Sequence, residues 1–182
     1  MPLRIYLAGP DVFLPDPAAR AADLRRICRD QGLVPVWPLD LLPDEPAAWA
    51  LLREPARIGR RNEAHIRRSD AVLANLTPFR GPGADPGTAY EVGYARALGK
   101  PVFGYATTQT PYAARVRAMP GTTANHDADG LLIEDFGLFE NLMLVCGIDE
   151  SGGAMLTAAA PLWSLDVFAR AVALIARRLG AV

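Results

Sequence analysis

Residues that build metal centres and disulfide scaffolds are scarce in this sequence of 182 residues, which contains two cysteines and two histidines. Cys28 and Cys146 lie far apart and in no metal-ligand spacing, and with the two histidines they do not form a standard structural zinc site. The sequence therefore predicts no metal site. It also predicts that both cysteines are buried thiols in a reducing compartment.

An excess of charge of one sign and a long apolar run are also missing. Lys and Arg total 19 against 20 Asp and Glu, a net charge of -1, which removes the electrostatic argument for nucleic acid or an anionic membrane as the main partner. The longest stretch without a charged residue, 151–165, has 15 residues and contains glycine and proline, so it is too short for a membrane span. The first apolar run ends at Pro10 and Asp11, too early for a secretory signal. We expect a cytoplasmic protein.

Apolar residues, 51% of the chain, occur in short runs that alternate with helical patterns, and most of the 16 prolines and 16 glycines lie between them. This alternation predicts one α/β domain over residues 1–182, with a parallel five-stranded sheet flanked by helices in a flavodoxin-like or Rossmann-like, doubly wound arrangement. The stretch 107–137 is expected to be mostly loop. The runs predicted as strands are 3–8, 33–37, 71–76 and 101–105, and the predicted helices are 17–31, 56–68, 88–98 and 165–179.

Two acidic residues mark one loop as a candidate site, because ligands of open parallel sheets bind beyond the carboxyl ends of the strands. Asp85 stands just before a predicted helix and Glu91 is expected in its first turn, where the helix dipole favours both as anions. An ionised carboxylate there suits a nucleophile or an electrostatic clamp. The plainer alternative is that Asp85 is a helix N-cap and both acids only complement the dipole. The loop spells no dinucleotide or phosphate-loop glycine pattern, so we predict no cofactor.

Other candidate residues allow two interpretations from the sequence alone. Tyr6 and Phe13 flank the end of the first strand, where they either pack in the core or sandwich a flat ring. His65 lies on an arginine-rich helix and is predicted at the surface. The arginines of that helix favour a solvated or subunit-facing surface over a nucleic-acid site.

Four motifs together resemble one protein family. They are YLAGPDVF at 6–13, SDAVLANLTPFRG at 69–81, DPGTAYEVGYA at 85–95 and FGLFENLML at 136–144. They follow one another as in the nucleoside 2-deoxyribosyltransferase family, and the resemblance extends from near the start of the chain to about residue 146.

The resemblance implies exchange of the nucleobase of 2′-deoxyribonucleosides by double displacement with retention. Glu91 matches the family nucleophile, which forms a covalent deoxyribosyl-enzyme, and Asp85 matches the acid that holds the deoxyribose hydroxyls. The expected partners are a deoxyribonucleoside and a free nucleobase, with no nucleic acid and no membrane. Slow hydrolysis is expected where water replaces the second base.

The resemblance also implies a set of binding residues and a homo-oligomer, a dimer or a multiple of dimers. Asn62 stands where some members have Asp, and because an amide is no general acid, the group that protonates the leaving base stays open. The implied substrate-binding residues are Tyr6, Gly9, Asp11, Phe13, Asn62 and Gly87 in the chain's own site, and Asn141 and Met143 supplied to a neighbour's site.

Two other functions remain as alternatives. A deoxyribonucleoside 5′-monophosphate N-glycosidase would share the fold and the Glu but bind a phosphate, for which the carboxylate of Asp11 at the first strand end has the wrong charge. A non-catalytic nucleoside-binding module has no need of Asp85 and Glu91 together.

The stretch 147–163 has no match in the resemblance and is a candidate insertion: a cover of the site, a subunit interface or an inert loop. Some family members close the site with their C-terminal end, here Ala181-Val182.

Overall fold

Five parallel strands form one sheet in the computed structural model, which describes residues 2–181. The strands lie in the order β2-β1-β3-β4-β5, and all four pairings are parallel. This is the flavodoxin-like order of doubly wound folds, so the predicted fold class is confirmed. Along the chain the elements are β1 (Arg4–Ala8), α1 (Pro17–Asp30), β2 (Val34–Val36), α2 (Glu54–Arg68), β3 (Ala71–Asn75), α3 (Pro86–Ala97), β4 (Val102–Ala106), α4 (Tyr112–Arg117), α5 (Leu142–Glu150), β5 (Ala154–Thr157) and α6 (Leu165–Leu179).

The sheet is buried on both faces, which explains why its strands read as continuous apolar runs. Every residue of β3 and β4 is buried. Alternate residues of β1 point to opposite faces: Ile5 and Leu7 pack in the core with α1 and α6, whereas Tyr6 packs with residues of α2, α3 and α5. The side chain of Tyr6 is thereby directed to the face that carries Glu91.

From β1 the chain continues to β2 on one side of it, and β3 then lies on the other side, so the strand order switches between β1 and β3. The crevice of the fold opens at this switch point. Gly9 follows β1 at this point and comes so close to β3 that a Cβ atom on it would lie 2.8 Å from Cβ of Asn75. A glycine is therefore required for the chain to turn directly into the short 3₁₀ helix Pro10–Phe13.

The stretch 147–163, the candidate insertion, contains regular structure. Its first residues complete α5, and β5 pairs with β4 through Phe103 opposite Ala154. The fifth strand of the sheet therefore lies in the part of the chain for which the resemblance has no match. The stretch 107–137, predicted as mostly loop, contains the short helix α4.

The C-terminal end lies away from the crevice. The carbonyl oxygen of Ala181 would be 3.3 Å from a Cβ atom on Gly32, which precedes β2 at the amino edge of the sheet. Ala181 thus does not close over this chain's own crevice, and Val182 lies outside the described residues.

Two burial predictions from the sequence are wrong. Cys146 is exposed on α5, although Cys28 is buried as predicted, and burial raises the pKa of the Cys28 thiol to about 12. His65 is buried rather than at the surface, because α2 turns it towards the 38–44 loop, where its Nε2 lies 3.0 Å from the carbonyl oxygen of Asp40.

Helices of membrane-spanning length and hydropathy do not occur within residues 2–181. Three of the five arginines of α2 form ion pairs: Arg61 with Glu45 at 2.6 Å, Arg67 with Glu63 at 3.5 Å, and Arg68 with Asp44 at 2.5 Å.

Candidate active site

A cavity of about 300 Å³ opens at the crevice between the ends of β1 and β3 and the start of α3. Cavities that bind small ligands range from about 300 to 1,000 Å³, so this one accommodates a single small molecule at a time. Six of the residues singled out in the sequence meet there. The lining consists of Gly9, Val12, Phe13, Pro38, Leu39, Ile58, Asn62, Asp85, Gly87, Thr88 and Glu91.

Glu91 is the acid at the inner side of this cavity. It lies in the second turn of α3, not in the first turn as predicted, and its Oε1 accepts hydrogen bonds from the Tyr6 hydroxyl at 2.6 Å and from Nδ2 of Asn62 at 3.3 Å. Burial raises the pKa of Glu91 to about 7, and the negative charge of Asp85 adds to the rise, whereas the two hydrogen bonds oppose it. Near neutral pH, Glu91 is therefore present in both its ionised and its neutral form.

Tyr6 reaches the site only through its hydroxyl. Its ring is fully buried, so it packs in the core and forms no wall of a ring sandwich. Burial, reinforced by the adjacent Glu91, raises the pKa of Tyr6 well above its usual value. The phenol therefore stays protonated and acts as a hydrogen-bond donor to Glu91.

Asp85 combines the two roles that the sequence left open. Its Oδ2 accepts hydrogen bonds from the backbone N–H of Thr88 at 2.8 Å and from the Thr88 hydroxyl at 3.0 Å, so it is the N-cap of α3. It also lines the cavity, together with Gly87. A Cβ atom on Gly87 would lie 3.0 Å from the same Oδ2, so glycine at this position avoids a close contact between a side chain and the carboxylate.

Phe13 provides an aromatic wall at the mouth of the cavity. Its side chain is 58% exposed, so the alternative of core packing is wrong for Phe13. The ring stacks on Phe79 with the ring centroids 5.4 Å apart, and the guanidinium carbon of Arg80 lies 5.1 Å from the centroid of Phe13. Arg80 was not singled out in the sequence, where nothing marks an exposed arginine in a loop as a neighbour of residue 13.

Asp11, predicted as a substrate-binding residue, does not line the cavity, and its role in binding stays a prediction. It is buried, forms an ion pair with Nε of Arg20 at 2.7 Å and accepts a hydrogen bond from Nδ2 of Asn75 at 2.7 Å. The buried cation of Arg20 on α1 holds the carboxylate inside, because a buried charge is stable only when it is paired.

Asn141 and Met143 lie outside this cavity, at the start of α5. Asn141 is the N-cap of α5: its Oδ1 accepts from the N–H of Met143 at 3.0 Å, and its Nδ2 donates to Glu134 at 2.9 Å. The side chain of Met143 is 65% exposed. It lines a second groove, of about 420 Å³, between α3 and α5.

Comparison with known proteins identifies the family of this chain. The profile of the nucleoside 2-deoxyribosyltransferases matches residues 5–143. The chain belongs to the nucleoside 2-deoxyribosyltransferase family. The match begins in β1 and ends at Met143, so all ten predicted site residues fall within it.

Individual relatives cover nearly the whole chain. A 2-desoxiribosyltransferase from Leishmania mexicana is similar in structure, with 34% identity, a TM-score of 0.66, and coverage of 93% of this chain and 98% of that one. An uncharacterized protein of Schizosaccharomyces pombe is 32% identical over 165 residues, which are 82% of this chain and 78% of that protein. A CMP N-glycosidase from Clostridium botulinum shares the fold at 14% identity, with a TM-score of 0.50 and coverage of 92% and 96%.

The raised pKa of Glu91 predicts a gain in stability from Glu91→Gln at high pH. A carboxyl whose pKa rises from 4.5 in the unfolded chain to about 7 on folding stabilises the protein fully below pH 4.5 and loses this contribution as the pH rises through about 7. Glutamine does not titrate, so E91Q is expected to match the parent near pH 4 and to exceed its free energy of unfolding by about 3 kcal/mol near pH 8.

Urea unfolding of both proteins across this pH range measures the difference. The control is Glu54→Gln, which changes an exposed glutamate and is expected to leave the pH dependence unchanged. A difference between E91Q and the parent that does not vary with pH would show that Glu91 titrates normally.

Proposed function

We propose that the protein is a glycosyltransferase that exchanges the nucleobase of 2′-deoxyribonucleosides through a covalent deoxyribosyl-Glu91 intermediate. The observation that carries the proposal is the carboxyl of Glu91, held by Tyr6 and Asn62 inside a cavity sized for one small ligand, with Asp85 beside it. Membership of the family supports the choice of substrate.

Two oxygens of Glu91 have different tasks in the proposed reaction. Both hydrogen bonds fall on Oε1, so Oε2 is the oxygen that attacks the anomeric carbon of the sugar. The bond from Oε2 to this carbon forms as the bond to the departing base breaks, and the base leaves with the electron pair and takes up a proton. A nitrogen of a second base then bonds to the anomeric carbon as the bond to Oε2 breaks. Oε2 keeps the electron pair, which restores the carboxylate, and the new nucleoside gives up the proton of that nitrogen to solvent.

Asp85 supports the sugar in this proposal. Its Oδ2 is occupied by Thr88, so Oδ1 is the oxygen that can accept from a deoxyribose hydroxyl. A second negative charge beside Glu91 also stabilises the positive charge that develops on the sugar ring in the transition state.

The proton for the departing base comes from solvent in this proposal. Among the described residues that line the cavity, only Asp85 and Glu91 are acids, and each already has another task. Asn62 is an amide and cannot donate a proton as an acid. Protonation before cleavage favours purines, because the imidazole-type N7 of a purine is more basic than the carbonyl oxygens of a pyrimidine such as thymine.

A second copy of the chain completes the site in this proposal. The groove between α3 and α5 is lined by the small residues Ala89, Gly93 and Ala97 of α3, which allow another helix to approach closely. Met143 is exposed at the same groove, and we propose that Met143 and Asn141 reach a neighbour's cavity across it. The expected assembly is a dimer or a multiple of dimers.

Mixing deoxyinosine with adenine tests the proposed exchange. Deoxyadenosine and hypoxanthine are expected in equal amounts by chromatography, and Glu91→Ala is expected to abolish both while Glu54→Ala retains them. A covalent deoxyribosyl adduct on Glu91 is expected in mass spectra of the protein mixed with deoxyinosine alone. Absence of deoxyadenosine, or full activity of E91A, would contradict the proposal.

Removing the Tyr6 hydroxyl is expected to shift the pH dependence of the reaction. The hydroxyl lowers the pKa of Glu91, so in Tyr6→Phe this pKa rises and the acidic limb of kcat/KM moves to higher pH. A hydrogen bond to a charged group contributes about 1.5–3 kcal/mol, which predicts a loss of about 10- to 100-fold in kcat/KM near pH 6.

Tyr94→Phe is the matched control, because the Tyr94 hydroxyl on α3 is buried without a hydrogen-bond partner in the described part of the chain. This variant is expected to keep the pH profile of the parent. An unchanged profile in Y6F would show that Tyr6 does not tune Glu91.

The second candidate function is hydrolysis of deoxyribonucleoside 5′-monophosphates, and one observation favours it. Asp11 is neutralised by Arg20, so the negative charge expected to repel a phosphate at the first strand end is absent. The exposed guanidinium of Arg80 lies beside Phe13 at the mouth of the cavity instead. A cation at this place can pair with a phosphate.

Arg80→Met separates the two functions. If the protein acts on nucleosides, the parent is expected to cleave deoxyinosine 5′-monophosphate poorly, and R80M is expected to change kcat/KM for exchange by less than about threefold, since only an exposed charge is lost. If it acts on nucleotides, the parent would cleave the monophosphate faster than it exchanges bases. R80M would then raise KM for the monophosphate, and the exposed-arginine control Arg60→Met would not.

A further inference from the structure

A buried ion pair lies next to the 77–87 loop, which leads to Asp85, and does not line the cavity. Nη2 of Arg115 and Oε2 of Glu140 are 2.6 Å apart, and their side chains are 9% and 2% exposed. Burying two charges is costly unless further hydrogen bonds satisfy them, so the other contacts of the pair indicate what it holds.

Arg115, on α4, fixes the middle of the loop that leads to Asp85. Its Nε donates to the carbonyl oxygen of Pro82 at 2.6 Å, and its Nη1 donates to the carbonyl oxygen of Thr110 at 2.7 Å. The guanidinium lies over the ring of Phe139, 4.6 Å from its centroid. One planar group thus ties the 77–87 loop to α4 and to the segment before α5.

Glu140 holds both the end of the same loop and the start of α5. Its Oε1 accepts from the backbone N–H of Asn141 at 3.1 Å, and the backbone amide of Ala84 also stabilises the ionised carboxylate. A Cβ atom on Gly83 would lie 3.4 Å from Oε1, so the loop backbone passes close to the carboxylate. The residue after Ala84 is Asp85, and the residue after Asn141 begins α5.

We infer that Arg115 and Glu140 are positioning residues, which hold Asp85 beside Glu91 and at the same time fix the start of α5. Through this pair the chain's own site is coupled to the segment that it offers to a neighbouring subunit. The identity of the chemistry at Glu91 rests on the proposed function, but the positioning of Asp85 relative to Glu91 does not.

A merely structural pair and a positioning pair respond differently to apolar replacement. Two apolar side chains fill the same volume and avoid an unpaired buried charge, so they preserve folding. They provide no donor for the carbonyl of Pro82 and no acceptor for the amides of Ala84 and Asn141, so the loop is no longer fixed. Stability and function are therefore expected to separate in the double variant Arg115→Met with Glu140→Met.

The experiment compares E140Q, R115M and the double variant with the parent. The titration of Glu91 is followed by 13C NMR of the glutamate carboxyls, assigned by its absence in E91Q, and kcat and KM are measured for exchange. The exposed pair Arg117 and Asp135 gives the controls R117M and D135N. Thermal unfolding of each variant reports folding separately.

In E140Q and in the double variant, the pKa of Glu91 is expected to fall below about 7, because the charge of Asp85 moves away and water enters. A displaced carboxylate is expected to lower kcat about 10- to 100-fold with a smaller effect on KM. The double variant is expected to regain the melting temperature but not kcat. The two controls are expected to change none of these quantities.

Recovery of kcat and of the Glu91 titration in the double variant, or no change in either quantity in any folded variant, would overturn the inference. If E140Q and the double variant do not fold, R115K decides, because it keeps the charge but loses the Nε bond to Pro82. A parent protein that exchanges no base while its Glu91 titration responds to E140Q would refute the proposed function and leave the positioning role intact.

Discussion

The hydrogen bond between Tyr6 and Glu91 joins the two elements on which the rest of the site depends. The Tyr6 hydroxyl on β1 lies 2.6 Å from Oε1 of Glu91 on α3, so the bond connects the buried core with the cavity. Because the phenol stays protonated, it stabilises the ionised form of a carboxyl that burial would otherwise keep neutral. A carboxyl with a pKa of about 7 has both its ionised and its neutral form available near neutral pH, which suits the covalent role proposed for Glu91.

The parallel sheet explains why such a carboxyl is possible here. Tyr6 faces α3 because residues of β1 alternate between the two cores, and Asp85 begins α3 by capping it with Oδ2. The cap fixes the first turn and therefore the direction in which Glu91 points, one and a half turns later. A residue needed for local structure thus also sets the distance between two acids. Moving the cap would alter the helix and the chemistry together.

Sequence reasoning found the fold and the two acids but assigned several environments wrongly. Apolar runs and glycine or proline boundaries are local signals, so strands, helices and the loop that leads to Asp85 could be predicted. The burial of Asp11 was not predicted because its partner Arg20 lies on another element, and no local pattern shows that a charge is paired and buried. Arg80 beside Phe13 and Arg115 beside Glu140 depend on contacts between distant loops in the same way. The fifth strand was not located because it has four half-buried residues in a stretch of mixed composition.

In the proposed mechanism, access of water to the cavity decides between transfer and hydrolysis. The proposed sugar ester on Glu91 would be open to attack by any nucleophile that reaches it, and water is the most abundant one. Phe13 is largely exposed at the mouth of the cavity. A base bound against its ring in a single chain would therefore have its other face in contact with solvent. Exposed Met143 beside the small residues of α3 provides an apolar surface that a second copy can use to exclude this water. If the proposed dimer forms, its interface sets the balance between the two proposed reactions, since the carboxylates themselves are the same in both.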